Sequence, residues 1–196
     1  MNDHKGFFAM MARMKYIERW ALMRNSVSEN ICEHSLEVAM LAHGLGIIGR
    51  KQFGKDLSPE RLAMLGMYHD CTEIITGDMP TPVKYANDEL KEAYKAIEDS
   101  AAHRLLEMLP EDLRAEYESY FLPEQITPEE YRYVKAADKL SALIKCIEEE
   151  KTGNQEFRSA KQATYESLQQ MNMPEVTVFC EVFLPEYYKT LDELEH

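Results

Sequence analysis

Apolar residues recur at three- and four-residue intervals along most of the chain, the spacing that lays one hydrophobic stripe along a helix. Near the start, Phe7, Met10, Met14 and Ile17 follow this spacing and predict a helix face packed on a core. Arg13, Lys15, Glu18 and Arg19 interrupt that stretch, so it reads as neither a membrane span nor a cleavable signal. Start signals mark further helices. Ser58-Pro59-Glu60 offers an N-cap, a proline at the first helical position and an acid in the first turn. Thr127-Pro128-Glu129-Glu130 repeats the pattern with a capping box from Thr127 to Glu130, and Asn30 with Glu33 makes a weaker version before Leu36 to Leu45. Asp88 to Met108 is rich in the helix formers Ala, Leu, Glu and Lys. Glu156 to Gln170 and Pro174 to Leu194 are helical in pattern too, although Val176 to Phe183 can pass for a strand; Val178, Phe179 and Phe183 are expected to form an exposed apolar face, a candidate interface. The prediction is an all-α fold of about seven helices with no hairpin, forming one domain over residues 1–196.

One loop stands apart from this helical grammar. Gly77-Asp78-Met79-Pro80-Thr81-Pro82 follows a predicted helix directly, and two prolines at alternate positions restrict its backbone. A stiff polar loop at a helix end serves as a turn, or as the fixed wall of a binding site.

Composition narrows the function. The 196 residues carry 22 basic and 35 acidic side chains, a net charge of −13. Such a surface repels nucleic acid polymers, while a small anionic substrate stays possible beside a metal ion and an arginine. No apolar run reaches the length of a membrane span. Cys32, Cys71, Cys146 and Cys180 form no C-x-x-C pair. They fit reduced thiols in a cytoplasmic protein, with Cys32 and Cys71 expected in the core.

The candidate chemistry starts at His69-Asp70, placed by pattern near the end of the helix that begins at Pro59. Adjacent helix positions point about 100° apart, so both side chains reach one ion only at the edge between their faces. Glu73 lies one turn further on and extends the polar patch. Other ligands must come from elsewhere. His34 stands in the first turn of an earlier helix, and Asp138 stands in an apolar stretch with Val134, Leu140, Ile144 and Ile147. A carboxylate there needs a partner: a metal, or simply Lys135 or Lys139. Two imidazoles and two carboxylates suit divalent Mn, Co, Fe, Zn or Ni. His43 lies half a helical turn round from His34 and is discounted, and His4, His103 and His196 lack a matching pattern. Spacing alone does not tie His34 and Asp138 to His69-Asp70.

The order His34, His69-Asp70, Asp138 resembles the HD-domain phosphohydrolases. The segments Arg19-Trp20, Leu22-Met23-Arg24-Asn25, Glu29-Asn30, Glu33-His34-Ser35-Leu36, Met67-Tyr68-His69-Asp70, Gly77 to Tyr85 and Lys135-Ala136-Ala137-Asp138 resemble the bacterial 5′-deoxynucleotidases of that superfamily, over nearly the whole chain. The resemblance implies a homodimeric, metal-dependent enzyme that releases phosphate from deoxyribonucleoside 5′-monophosphates and rejects ribonucleotides, with a metal-bound water as nucleophile. It implies one divalent ion on His34, His69, Asp70 and Asp138, with Co²⁺ or Mn²⁺ effective and Zn²⁺, Ni²⁺, Fe²⁺ or Cu²⁺ as other candidates. It implies that Arg19 orients the phosphate, that Trp20 leaves no room for a 2′-hydroxyl, and that Glu73 assists the attacking water. Asp78, Met79, Pro80 and Thr81 hold the deoxyribose by the same analogy, and His34, Asp70 and Asp138 also meet the substrate. Ala21 replaces a proline common in the family, and Ser26-Val27-Ser28 replaces a more basic stretch; both departures adjoin Trp20. Two other readings keep part of the picture: a phosphohydrolase acting on another nucleotide or phosphoester, and a non-catalytic nucleotide-binding sensor. Glu73 argues against the sensor, since a pure binder needs no carboxylate to activate water.

Overall fold

A computed structural model of the chain describes residues 5–84 and 86–195; His4, Tyr85 and His196 lie outside them. The α-helices are α1 (Phe7–Met11), α2 (Ile31–Gln52), α3 (Pro59–Tyr68), α4 (Glu73–Thr76), α5 (Thr81–Lys84), α6 (Asp88–Leu106), α7 (Glu111–Phe121), α8 (Pro128–Lys151), α9 (Arg158–Gln170), α10 (Pro174–Val182) and α11 (Leu191–Leu194). Seven of these, α2, α3 and α6 to α10, are nine residues or longer, as the hydrophobic pattern predicts. The remaining four are single turns or little more, and short 3₁₀ segments follow α1, α7 and α10. The α10 segment is a helix and not a strand. Pro174 sits in its first turn, and Val176 and Phe179, three residues apart, are buried together.

The local start signals are all made. The Asn30 side chain accepts from the backbone N–H groups of Cys32 and Glu33, and Glu33 reaches back to close the box. Thr127 and Glu130 close the same box on α8, and Ser58 caps α3 ahead of Pro59. Each such cap is worth about 1 kcal/mol, and it also sets the residue at which the helix begins.

Helix α2 packs chiefly on α3 and α8, and α8 also packs on α9. Val38, Leu41, Ala42 and Leu45 of α2 meet Leu62 and Leu65 of α3, Leu140, Ile144 and Ile147 of α8, and Val176 and Phe179 of α10 in one buried cluster. A second cluster gathers Phe7, Met14, Ile31, Cys71, Leu105, Leu106 and Phe121. The α2 helix is long and apolar enough to cross a membrane by composition, yet 56 % of its most apolar window is buried inside the fold. Gly66 governs how close α3 comes to α2. A Cβ there would lie 3.0 Å from Ala39 Cα and 3.1 Å from its backbone nitrogen. The missing side chain therefore lets the end of α3, three residues before His69, rest on the α2 backbone just beyond His34.

Two expectations need correction. Cys32 is exposed, whereas Cys71 is buried as predicted. Ile31, His34 and Ser35 take the inward face of the first α2 turn, and Cys32 lies about 200° round from His34. Among the C-terminal side chains Val178, Phe179 and Phe183, expected as an exposed apolar face, Phe179 belongs to the core and Val178 is half-buried; Phe183 is exposed beside Val182.

Candidate metal centre

The α3 helix ends at Tyr68, two residues short of Asp70, so neither His69 nor Asp70 is within it. His69 is its C-cap, Asp70 stands in the turn that follows, and Glu73 opens α4. Hydrogen bonds from Cys71 N–H to Tyr68 O (3.1 Å) and from Glu73 N–H to Asp70 O (3.0 Å) keep this turn tight. The polar patch is thus built across a helix junction.

His34, His69, Asp70 and Asp138 meet there. His34 Nε2 lies 3.4 Å from Asp70 Oδ2 and 3.3 Å from Asp138 Oδ1. His69 Nε2 lies 3.1 Å from Asp70 Oδ2 and 4.0 Å from Asp138 Oδ1. His34, His69 and Asp70 each offer a ligand atom within 4.8 Å of the others, and Asp138 completes the set from α8. Lys135 Nζ binds the other Asp138 oxygen at 3.1 Å, so the lysine considered as a partner for this carboxylate takes one oxygen and leaves Oδ1 facing the histidines. His43 does not join the cluster, and His103 is bonded to the Asp99 carbonyl on α6.

The outer nitrogens define what the inner ones can do. His69 Nδ1 donates to Gly66 O at 2.7 Å. His34 Nδ1 is 2.9 Å from Ser141 Oγ, and Ser141 Oγ gives its only proton to Glu37 Oε2 at 2.5 Å. Ser141 must then accept from His34, so in the neutral imidazoles both Nε2 atoms carry lone pairs and both face carboxylates. Both Nε2 atoms are buried without a hydrogen-bond partner, as is Glu73 Oε2. Lone pairs and carboxylates converging on one point are mutually repulsive unless a cation sits among them. Two imidazole and two carboxylate donors match a borderline divalent ion and leave coordination positions for water and substrate. The residues fit a metal.

The same field marks the titrating groups. Burial and Arg19 act to lower the His34 pKa, but the Asp138 and Asp70 carboxylates outweigh them and raise it. Burial acts to raise Asp70 and Asp138. It is outweighed at Asp70 by His69 and His34, and at Asp138 by Lys135 and His34, so both stay well below the ordinary carboxylate value. Burial, then Asp70 and Asp78, pushes Glu73 up to about 10. A divalent cation among these carboxylates would offset the repulsion that holds the proton on Glu73.

Arg19 and Trp20 reach the cluster from an extended segment. Arg19 N–H donates to Glu29 O at 2.8 Å and Ile31 N–H to Ile17 O at 2.9 Å, tying this segment to the start of α2. Glu29 Oε2 accepts from Arg19 Nη1 at 2.5 Å and from Trp20 Nε1 at 2.9 Å. Glu29, Ser141 and Glu37 were not singled out from the sequence as site residues; Glu29-Asn30 was noted only as a shared segment. Burial lowers the Arg19 pKa, but Glu29, Asp70, Asp138 and Asp78 together raise it, so its guanidinium is a fixed positive charge facing the acidic cluster. Trp20 has φ +60°, a left-handed conformation uncommon for a bulky residue. Its backbone N–H bonds the Asp78 carboxylate, and its ring lies 5.2 Å from that of Phe157. Asp78 follows Gly77, whose φ of +75° turns the chain after α4. Met79 and Pro80 are half-buried beyond it, and Thr81 is exposed at the start of α5.

Residues 6–187 match the family model described as 5′-deoxynucleotidase YfbR-like. The 5′-deoxynucleotidase of Vibrio cholerae is 48 % identical over 96 % of this chain and 97 % of its own length. The 5′-deoxynucleotidase YfbR of Shigella boydii is 46 % identical over 96 % of this chain and 94 % of its own. Among solved structures, an HD-domain phosphohydrolase from Listeria innocua superposes with a TM-score of 0.80 at 22 % identity, over 96 % of this chain and 91 % of that one. The cyanophage S-2L HD phosphohydrolase, bound to dA and one catalytic Zn²⁺, superposes with a TM-score of 0.64 at 23 % identity, over 93 % and 96 %. The chain belongs to the YfbR-like 5′-deoxynucleotidase family.

Proposed function

We propose that this 5′-deoxynucleotidase hydrolyses deoxyribonucleoside 5′-monophosphates to deoxynucleosides and inorganic phosphate, with one divalent ion held by His34, His69, Asp70 and Asp138. The observation that carries the reading is the convergence of two unpartnered buried imidazole nitrogens on two carboxylates beside a half-buried arginine. A divalent ion at these donors would polarise the phosphoryl group and lower the pKa of a water molecule. Glu73 stands beside Asp70 to take that water's proton as its oxygen joins phosphorus, and the P–O5′ bond breaks with the departing 5′-oxygen taking up the proton from Glu73. Arg19, oriented by Glu29, presents its planar fork to two phosphate oxygens. Trp20 and Asp78, bonded to each other, form the sugar wall with Met79, Pro80 and Thr81. Trp20 closes the space at C2′, and Asp78 accepts from a sugar hydroxyl.

Co²⁺ or Mn²⁺ is the proposed ion, because mixed nitrogen and oxygen donors suit both. A homodimer is the proposed assembly. Leu36, Met40 and Ile47 form an exposed apolar face on α2, with Met40 61 % exposed, and Val182 and Phe183 lie exposed at the end of α10, which packs on α2. The chain acts as one catalytic domain in the cytoplasm, where its four free thiols stay reduced.

The test is phosphate release from each deoxynucleotide and its ribo counterpart, with Co²⁺ or Mn²⁺ and with chelator. Metal-dependent release from dAMP and dTMP, with little from AMP, supports the reading. Equal rates on ribonucleotides remove the sugar gate. Release only from triphosphates or cyclic nucleotides assigns another substrate, and stabilisation by nucleotide without release assigns a sensor.

A further inference from the structure

Glu149, on the last turns of α8, is only 2 % exposed, yet it points to the segment that follows Trp20 rather than to the His–Asp cluster. Its carboxylate accepts from the backbone N–H of Ser26 at 2.8 and 3.1 Å and from that of Val27 at 3.4 Å. Asn154 Nδ2 donates to it at 2.8 Å and also to Arg24 O at 2.8 Å. Lys145 Nζ, 4 % exposed as a residue, donates to Glu149 at 2.5 Å and to Val27 O at 2.6 Å. Thr152 Oγ1 adds a bond to Ser26 Oγ at 2.9 Å. Beneath them Phe157 is fully buried; the Lys145 ammonium lies 5.7 Å from its ring centroid and the Trp20 ring 5.2 Å.

A buried ion pair costs desolvation energy that apolar packing would avoid. Here the charges are directed at backbone groups, two successive N–H donors and the Val27 carbonyl, and the Asn154 amide adds the Arg24 carbonyl, which together fix where a loop runs whatever side chains it carries. The loop needs such fixing because Trp20 stands in a left-handed conformation at its head. We propose that Lys145, Glu149 and Asn154 are positioning residues for sugar selection: they clamp residues 24–27 and, through Phe157, hold the Trp20 ring where it meets the deoxyribose. This rests on the reading of Trp20 as the sugar gate.

Trp20 is the only tryptophan in the chain, so its fluorescence reports the ring's surroundings without any catalysis. The variants are Glu149→Gln and the milder Asn154→Ala, which removes three side-chain bonds at a half-buried position, two of them to the clamp, and keeps the test open if Glu149→Gln does not fold. Expected are unchanged helical circular dichroism and metal stoichiometry, a red-shifted and more readily quenched Trp20 emission, and a dAMP-to-AMP ratio of kcat/KM lowered about tenfold, the factor expected for one buried hydrogen bond. Variants that fold and keep both the emission and the ratio overturn the clamp. Trp20→Ala, measured alongside, separates the two layers. If it also keeps the wild-type ratio, the gate itself is wrong and the clamp's role in selection falls with it; if it alone loses the ratio, only the clamp is wrong.

Discussion

Ser141 stands between His34 and Glu37, accepting from His34 Nδ1 at 2.9 Å and giving its own proton to Glu37 at 2.5 Å. One hydroxyl thereby sets the tautomer of a histidine on another helix and aims its Nε2 at the two carboxylates. Ser141→Ala should leave the fold intact and weaken metal binding by about 10- to 100-fold, the usual effect of losing a group that orients a ligating histidine. Titration calorimetry with Mn²⁺ checks this, and Ser141→Thr should recover most of the affinity. Wild-type affinity in Ser141→Ala would show that His34 is oriented without it.

Gly66 sets the distance between the helices that bring His34 and His69 together. Gly66→Ala places a methyl about 3.0 Å from the Ala39 backbone, where nothing flexible can yield. Overpacking of this kind costs about 1–3 kcal/mol, so the thermal midpoint should fall. Metal affinity should fall with it, since His69 Nδ1 is bonded to Gly66 O. A drop in stability with no change in metal affinity would separate the helix contact from the site.

Glu73 is buried, with one carboxylate oxygen unpartnered. Glu73→Gln keeps the shape and removes the proposed proton acceptor. The expected result is a loss of about 10²- to 10⁴-fold in kcat with substrate binding retained. Steady-state kinetics on dAMP, paired with nucleotide binding by calorimetry, checks both halves.

Acid should loosen the loop behind Trp20. Burial alone would raise the Glu149 pKa, but bonds from Lys145, Asn154 and Ser26 outweigh it and lower the value from 4.5 to about 2. A carboxylate depressed in the folded state stabilises that state fully above its unfolded value. That contribution is lost as the pH falls from 4.5 towards 2. Denaturant melts of wild type and Glu149→Gln should therefore differ most at pH near 6 and converge on acidification. A gap that is constant with pH would mean that Glu149 acts through packing rather than charge.

The features legible in the chain were those written over short distances. Asn30 with Glu33, Ser58 with Pro59, and Thr127 with Glu130 announce helix starts because both partners lie within one turn. The end of α3 was not legible, because no glycine or proline marks Tyr68 and the next residues keep a tight, nearly helical turn. The bonds that tune the site join residues far apart: 107 positions separate His34 from Ser141, and 123 separate Ser26 from Glu149. No periodicity encodes such pairs. Resemblance ties His34 and Asp138 to His69-Asp70, and the fold brings His34 Nε2 to 3.4 Å from Asp70 Oδ2 and Asp138 Oδ1 to 4.0 Å from His69 Nε2.

The most direct measurement is a titration of chelator-stripped protein with Mn²⁺, following bound metal and phosphate release from dAMP in the same samples. One ion per chain should bind, activity should rise in proportion to it, and His34→Ala and Asp138→Asn should lose both together. Two ions per chain, or activity that survives full removal of metal, would contradict a single ion held by His34, His69, Asp70 and Asp138.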